Sequence, residues 1–136
     1  MKILLPIDGS AYSKNAAKVA GKIAKEHNSH IIVLHVVGDR GLGRKTWRKE
    51  GAEHVNNLII NILLEIGCDV SDITSMVEGG NAAEMIVKAA KEHDVDRIIM
   101  GTQGRTGIKK IVGSVTQKVL QLSDILVLVV PPDYRG

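Results

Sequence analysis

The chain has no phenylalanine and is poor in aromatic residues of every kind. Its aromatic side chains are one tryptophan, Trp47, and two tyrosines, Tyr12 and Tyr134, which are far apart in the sequence. A surface that stacks the bases of single-stranded nucleic acid needs several neighbouring aromatic side chains. The sequence therefore does not favour nucleic acid as a partner, and it offers little to enclose a flavin ring.

Cysteine pairs, long apolar runs and metal-ligand spacing are also lacking. The single cysteine, Cys68, excludes an internal disulfide and a cysteine-based metal site, and it makes the cytoplasm the expected compartment. The sequence contains no run of about twenty apolar residues, which is the length that spans a membrane. The amino-terminal residues lack a signal-peptide pattern. The histidines do not have the spacing of metal ligands. We expect a single domain over residues 1–136, with no membrane partner and no protein-bound metal.

What the chain does contain is an alternation of apolar segments with amphipathic ones. Short apolar segments predict strands at residues 3–7, 30–37, 70–78, 97–101 and 125–130. Between them, apolar residues three and four apart predict helices, most clearly over 52–66 and 114–122. Strict alternation with nearly continuous apolar strands favours an α/β fold with a parallel sheet covered by helices on both faces. Right-handed crossovers favour an open, Rossmann-like sheet of order 3-2-1-4-5.

The first strand ends in a turn, Asp8-Gly9-Ser10, that is the first candidate for a binding site. Asp8 stands where a carboxylate could accept hydrogen bonds from ribose hydroxyls. A turn-forming or capping aspartate is the alternative interpretation. Ser10 is the expected N-cap of the helix that follows.

The second candidate is a glycine-rich segment that follows the fourth strand. Gly101-Thr102-Gln103-Gly104 comes directly after that strand, and Gly113-Ser114 opens the next helix. Glycines let a backbone approach an anion closely, and a helix N-terminus offers N–H groups to it. Glycine also serves tight packing, and Ser114 with Gln117 fits a capping box. In the predicted sheet the two candidate turns flank the switch point of the strand order, where ligands bind.

The chain resembles the universal stress protein family nearly from end to end. The segments that carry the resemblance are residues 3–10, 33–37, 96–107, 113–119 and 126–130. The ATP-binding branch of that family has the pattern G-x-x-G, nine residues, and then G-S or G-T. Here eight residues separate Gly104 from Gly113, so the loop is one residue shorter than in the family pattern.

The resemblance implies a dimeric α/β protein that holds ATP or AMP, and it assigns residues to the nucleoside. Asp8 would contact the ribose, with Pro6 and Ile7 beside the nucleoside. Val36 would recognise adenine through its backbone, and Met100 would form a further apolar wall.

The resemblance also assigns residues to the phosphates. Gly101 and Gly104 would approach the ribose and the phosphates. Gly113, Ser114 and Val115 would bind the phosphates through backbone N–H groups and the Ser114 hydroxyl. A Mg²⁺ or Mn²⁺ ion, where present, would be held mainly by the phosphates.

Three functions remain open on the sequence. The first is a nucleotide-binding regulatory module of the stress response, a homodimeric switch that acts on unknown protein partners. The second is a slow ATPase or phosphoryl-transfer enzyme, which is less favoured because no residue is evident as the base. The third is a dimeric interaction protein without a nucleotide, which the short loop keeps open. The homodimer is expected to form through the last strand, since an exposed apolar sheet edge invites pairing.

The basic residues of the chain are unevenly distributed. The formal net charge is +3, and basic residues gather in two segments, 40–49 and 105–110. We expect the first segment to lie in the connection after the second strand and the second to lie in the glycine loop. Both follow the carboxyl ends of strands, where they could attract phosphates.

Overall fold

The structure is a computed structural model. It describes residues 1–9, 11–38, 45–102, 112–132 and 134, and for residues 45–49 it describes the backbone alone. Ser10, Gln103 and Gly104 lie outside these ranges, as do these basic residues of the segments 40–49 and 105–110: Arg40, Arg44, Arg105, Lys109 and Lys110.

Strands and helices alternate along the described chain. The strands are β1 (Lys2–Ile7), β2 (His30–Val37), β3 (Ile73–Gly79), β4 (Arg97–Gly101) and β5 (Leu126–Val130). The helices are α1 (Ala11–His27), α2 (Lys45–Ile66), α3 (Ala82–Glu92) and α4 (Ser114–Leu122). All the strand pairs are parallel, and the order across the sheet is β3-β2-β1-β4-β5. The predicted fold class and strand order are confirmed.

Two element boundaries differ from the prediction by more than one residue. The third strand begins at Ile73, because residues 70–72 form a 3₁₀ turn in which the Asp69 carboxylate accepts a hydrogen bond from the Ser71 N–H (3.0 Å). Helix α2 begins at Lys45, several residues before its apolar pattern starts. The expectation that residues 45–49 lie in a connection is therefore wrong, since their backbone forms the first turns of α2.

The sheet separates two apolar layers. One cluster joins the buried faces of α1 and α2 to one side of the sheet and includes Leu5 and Ile99. The other joins α3 and Val119 of α4 to the opposite side and includes Leu4 and Ile98. Successive strand residues point to opposite faces, so the central strands are buried on both sides, as their apolar runs predict. Among the described residues, no helix has the length and apolar character that a membrane span requires.

Hydrogen bonds join β1 and β4 at their amino ends, and the pairing of these two strands stops before their carboxyl ends. The Lys2 N–H donates to Asp96 Oδ2 (2.7 Å), and the Asp96 N–H donates to the Lys2 carbonyl (2.8 Å). The paired residues of β1 and β4 end at Leu4 and Ile98, whereas β1 stays paired with β2 as far as Ile7. Pro6, which has no N–H to donate, lies in the part of β1 beyond the last pair with β4. A crevice at the switch point follows from this arrangement.

Candidate functional site

The turn after β1 holds the Asp8 carboxylate in a fixed orientation. Ser13, in the first turn of α1, is buried, and its hydroxyl accepts a hydrogen bond from the Asp8 N–H (2.9 Å). The same hydroxyl donates to Asp8 Oδ1 (2.6 Å). Between them Gly9 has φ +85°, a left-handed conformation that favours glycine. Asp8 is thus half-buried at the end of β1 with its carboxylate steered by Ser13.

The predicted nucleoside residues divide between the two faces of the sheet. Val36 and Met100 pack into the apolar layer of α3 and α4, and Pro6 follows Leu4 of the same layer by strand alternation. Each of these three residues is the last but one of its strand, and the strands β2, β1 and β4 are adjacent in the sheet. Ile7 packs in the opposite layer with α1. The structure therefore places Pro6, Val36 and Met100 on one face of the sheet, near the carboxyl ends of adjacent strands, and the Ile7 side chain on the other face.

The end of β2 extends past the end of β1. Ile7 pairs with His35, while Val36 pairs with Glu78 of β3 and Val37 pairs with Gly79. The edge of β2 that faces β1 is therefore outside the β1–β2 ladder at Val36. Backbone groups at such an edge are available to hydrogen-bond a planar ligand, which is the part that the resemblance assigns to Val36.

Gly101, the last residue of β4, packs tightly on the first turn of α1. A Cβ atom at this position would lie 3.0 Å from the Tyr12 carbonyl oxygen and 3.0 Å from Tyr12 Cβ. Real Cβ atoms rarely approach a backbone so closely, so a side chain here would push α1 and β4 apart. The tight-packing interpretation of Gly101 is confirmed. Its predicted contact with a ligand stays a prediction.

Helix α4 begins without a side-chain cap. Gly113 is the N-cap residue, and no side chain accepts a hydrogen bond from the first turn at this cap. Ser114 is the first residue inside the helix, so the interpretation of Ser114 as the capping residue of a box with Gln117 is wrong. The N–H groups of Ser114, Val115 and Thr116 have no acceptor within the helix. Ser114 and Val115 are exposed.

Among the described residues, two hydrogen bonds join the start of α4 to the end of β4 and the residue that follows it. The Gly113 N–H donates to the Thr102 carbonyl (2.6 Å), and the Thr116 hydroxyl donates to the Gly101 carbonyl (2.9 Å). The Gly113 N–H is therefore engaged within the protein, which leaves Ser114 and Val115 as the donors of the predicted phosphate set. Gly104 lies outside the described residues.

Sequence reasoning missed three polar residues around the crevice. Ser13 and Thr116 are both buried, and each ties a helix start to the end of a strand. Thr102 Oγ1 is buried and has no hydrogen-bond partner among the described residues. One signal was present for Thr116, since it is a polar residue three positions before Val119 on the buried stripe of α4.

The lone cysteine lies away from these turns and is not activated. Burial raises the pKa of the Cys68 thiol, the nearby Asp72 carboxylate adds to the rise, and Lys25 opposes it. The thiol therefore stays protonated near neutral pH. Within the described residues, no group of three or more His, Cys, Asp and Glu side chains could hold a metal ion.

Comparison with known proteins identifies the family. The sequence model described as the universal stress protein family matches residues 1–131. The chain belongs to this family. Universal stress protein MJ0531 of Methanocaldococcus jannaschii is 36% identical to it over 141 residues, which cover 95% of this chain and 81% of that protein. Universal stress protein MJ0577 of the same organism is 33% identical over 154 residues, which cover 95% and 93%.

Solved structures of universal stress proteins share the fold. The structure of MJ0577 matches with a TM-score of 0.79 at 32% identity and covers 96% of this chain and 94% of that one. A universal stress protein in complex with cAMP has a TM-score of 0.80 at 22% identity and covers 98% of each chain. An Archaeoglobus fulgidus universal stress protein in complex with dAMP has a TM-score of 0.75 at 21% identity and covers 95% and 96%.

The packing of Gly101 gives a testable prediction. We expect Gly101→Ala to lower the free energy of unfolding by about 1–3 kcal/mol, because the added methyl group meets the Tyr12 backbone. Urea unfolding measures the change. Gly51→Ala is the matched control, since a Cβ there meets nothing within 4 Å and the residue lies in α2. It should raise stability by up to about 1 kcal/mol. A Gly101→Ala protein as stable as the wild type would contradict the packing argument.

Proposed function

We propose that the crevice at the carboxyl ends of β1, β2 and β4 binds an adenine nucleotide, ATP or AMP, and that the protein is a nucleotide-binding regulatory module of the stress response. One observation carries the proposal. The first turn of α1, whose Ser13 orients Asp8, packs on Gly101, and the uncapped start of α4 bonds to the Gly101 carbonyl, although the two helix starts are about a hundred residues apart. The ribose and the phosphate are adjacent in a nucleotide. The Asp8 carboxylate would accept hydrogen bonds from the ribose, and the N–H groups at the start of α4 would donate to the phosphate.

The phosphate side of the crevice has the chemistry that an anion requires. The N–H groups of Ser114 and Val115 point out of the start of a nine-residue helix without an intrahelical acceptor. The helix dipole favours negative charge at this end. Thr102 adds a buried hydroxyl without a partner among the described residues, and buried polar groups are rarely left unsatisfied.

The nucleoside side supplies an acceptor and an apolar face. The Asp8 carboxylate accepts a hydrogen bond from Ser13 at Oδ1, which orients it at the end of β1. Val36 and Met100 belong to one apolar cluster on the same side of the sheet. A mostly apolar pocket with a few oriented polar groups is the usual form of a small-molecule site.

The family is compatible with this ligand. Two proteins of the same fold bind adenine nucleotides, cAMP in one and dAMP in the other. A Mg²⁺ or Mn²⁺ ion would be held mainly by the phosphates. Hydrolysis is not part of the proposal, because phosphoryl transfer needs a group that orients the attacking nucleophile, and the proposal assigns the Asp8 carboxylate to the ribose.

The test is calorimetric titration of the protein, stripped of copurified nucleotide, with ATP, AMP and adenosine. We expect Asp8→Ala to weaken all three ligands about tenfold or more, because each loses a charge-assisted hydrogen bond to the ribose. Asp124→Ala is the matched control. Its carboxylate is exposed, lies just before β5 at the other end of the sheet, and should leave the affinities unchanged.

Two results would overturn the proposal. One is the absence of copurified nucleotide together with no binding of ATP or AMP at millimolar concentration. The other is equal weakening by Asp8→Ala and Asp124→Ala, which would place the nucleotide away from the turn after β1.

We further propose that the protein is a homodimer joined through β5. This strand is the sheet edge next to β4, and Leu126 is 73% exposed on it, with Leu128 and the α4 residues Leu120 and Leu122 also exposed. Beyond β5 no described strand follows, and a sheet edge beside exposed leucines is a surface that pairing with a second chain would bury.

Substitution on this edge tests the dimer. We expect Leu126→Glu to weaken dimerisation about tenfold or more, because it places a charge in an apolar contact. Sedimentation equilibrium measures the dissociation constant. Leu58→Glu is the matched control, since Leu58 is a 46% exposed leucine on α2, and it should leave the constant unchanged. A monomeric wild type, or equal effects of the two substitutions, would exclude this interface.

A further inference from the structure

We infer that Thr116 is the positioning residue of the phosphate side, and that through it the site selects phosphorylated adenosine over adenosine itself. This inference rests on the proposed nucleotide site and deepens it by specifying the class of ligand. Thr116 is not expected to touch the ligand with its side chain, because the residue is 3% exposed and its hydroxyl is already engaged.

The place of Thr116 in α4 lets it position the N–H groups of Ser114 and Val115, which are the expected phosphate donors. It is the third residue of α4, so its side chain leaves the same helical turn that presents the N–H groups of Ser114 and Val115. Its hydroxyl donates to the carbonyl of Gly101 at 2.9 Å. The other bond between this turn and β4, from the Gly113 N–H to the Thr102 carbonyl, is made before the helix begins. Of the side chains that the structure describes, Thr116 is therefore the one that hydrogen-bonds the helical turn itself to β4.

The acceptor of the Thr116 hydrogen bond is held in place because Gly101 packs on α1. Its Cα side packs on the backbone of Tyr12 in α1, with no room for a Cβ atom, and its carbonyl accepts from Thr116. The first turn of α1 also carries Ser13, which orients Asp8. The chain of contacts from Asp8 through Ser13, Tyr12 and Gly101 to Thr116 fixes the spacing between the ribose acceptor and the phosphate donors.

Loss of the Thr116 hydroxyl would act on one side of the site only. The Gly101 carbonyl would lose its donor, and α4 would be free to shift away from β4. Because hydrogen bonds weaken steeply with misalignment, the N–H groups of Ser114 and Val115 would hold a phosphate less well. The groups expected to bind the nucleoside lie on the strands β1, β2 and β4 and in the turn after β1, and they would stay in place.

The test compares Thr116→Val with Thr116→Ser. Valine keeps the shape of threonine and lacks the hydroxyl, whereas serine keeps the hydroxyl. We expect Thr116→Val to bind AMP about tenfold more weakly than the wild type and to bind adenosine within about twofold of it. Thr116→Ser should match the wild type for both ligands. Calorimetric titration gives the affinities, and thermal unfolding of each variant shows that it is folded.

The ratio of AMP to adenosine affinity decides the question, because a general loss of structure would weaken both ligands together. An unchanged ratio in Thr116→Val would overturn the inference while leaving the nucleotide site intact. A wild type that binds neither ligand would overturn the proposed function itself, and the inference with it. Should Thr116→Val fail to fold, Thr116→Cys, which replaces the hydroxyl by a weak donor, is expected to lower the ratio in the same direction, and an unchanged ratio there would equally overturn the inference.

Discussion

The close packing of Gly101 on the first turn of α1 is the constraint on which the crevice depends. With a Cβ atom at this position only 3.0 Å from the Tyr12 carbonyl, glycine alone lets β4 end so near to α1. On its other side the Gly101 carbonyl receives the Thr116 hydroxyl, and α4 starts where that bond holds it. The turn after β1 and the start of α4 are thereby held at one edge of the sheet.

The sequence predicts the sheet well because burial leaves little choice of residue. Strands β2 and β4 are covered on both faces, so residues 30–37 and 97–101 are nearly all apolar, and their predicted bounds agree with the structure. The errors lie where local polar contacts decide the backbone. Val70 is apolar but lies in a 3₁₀ turn, because the Asp69 carboxylate holds the Ser71 N–H and hydroxyl. The first turns of α2 have no apolar pattern that would reveal them.

The candidate site is predictable only in part. Asp8, Gly101 and Gly113 follow from connectivity, since each lies where a strand ends or a helix begins. Ser13 and Thr116 do not follow from it, because their roles arise from hydrogen bonds to strand ends that a linear pattern does not show. The engagement of the Gly113 N–H by Thr102 is a tertiary contact of the same kind. The family supplies the expectation of a nucleotide, while the roles of the individual residues stay predictions.

The most direct test of the account is an amide NMR titration of the ¹⁵N-labelled protein with AMP and, separately, with adenosine. The account predicts that both ligands shift the amide signals of Asp8 and Val36, and that only AMP strongly shifts those of Ser114 and Val115. Shifts confined to the opposite end of the sheet, or equal shifts of Ser114 and Val115 with both ligands, would contradict the claim that the start of α4 holds the phosphate.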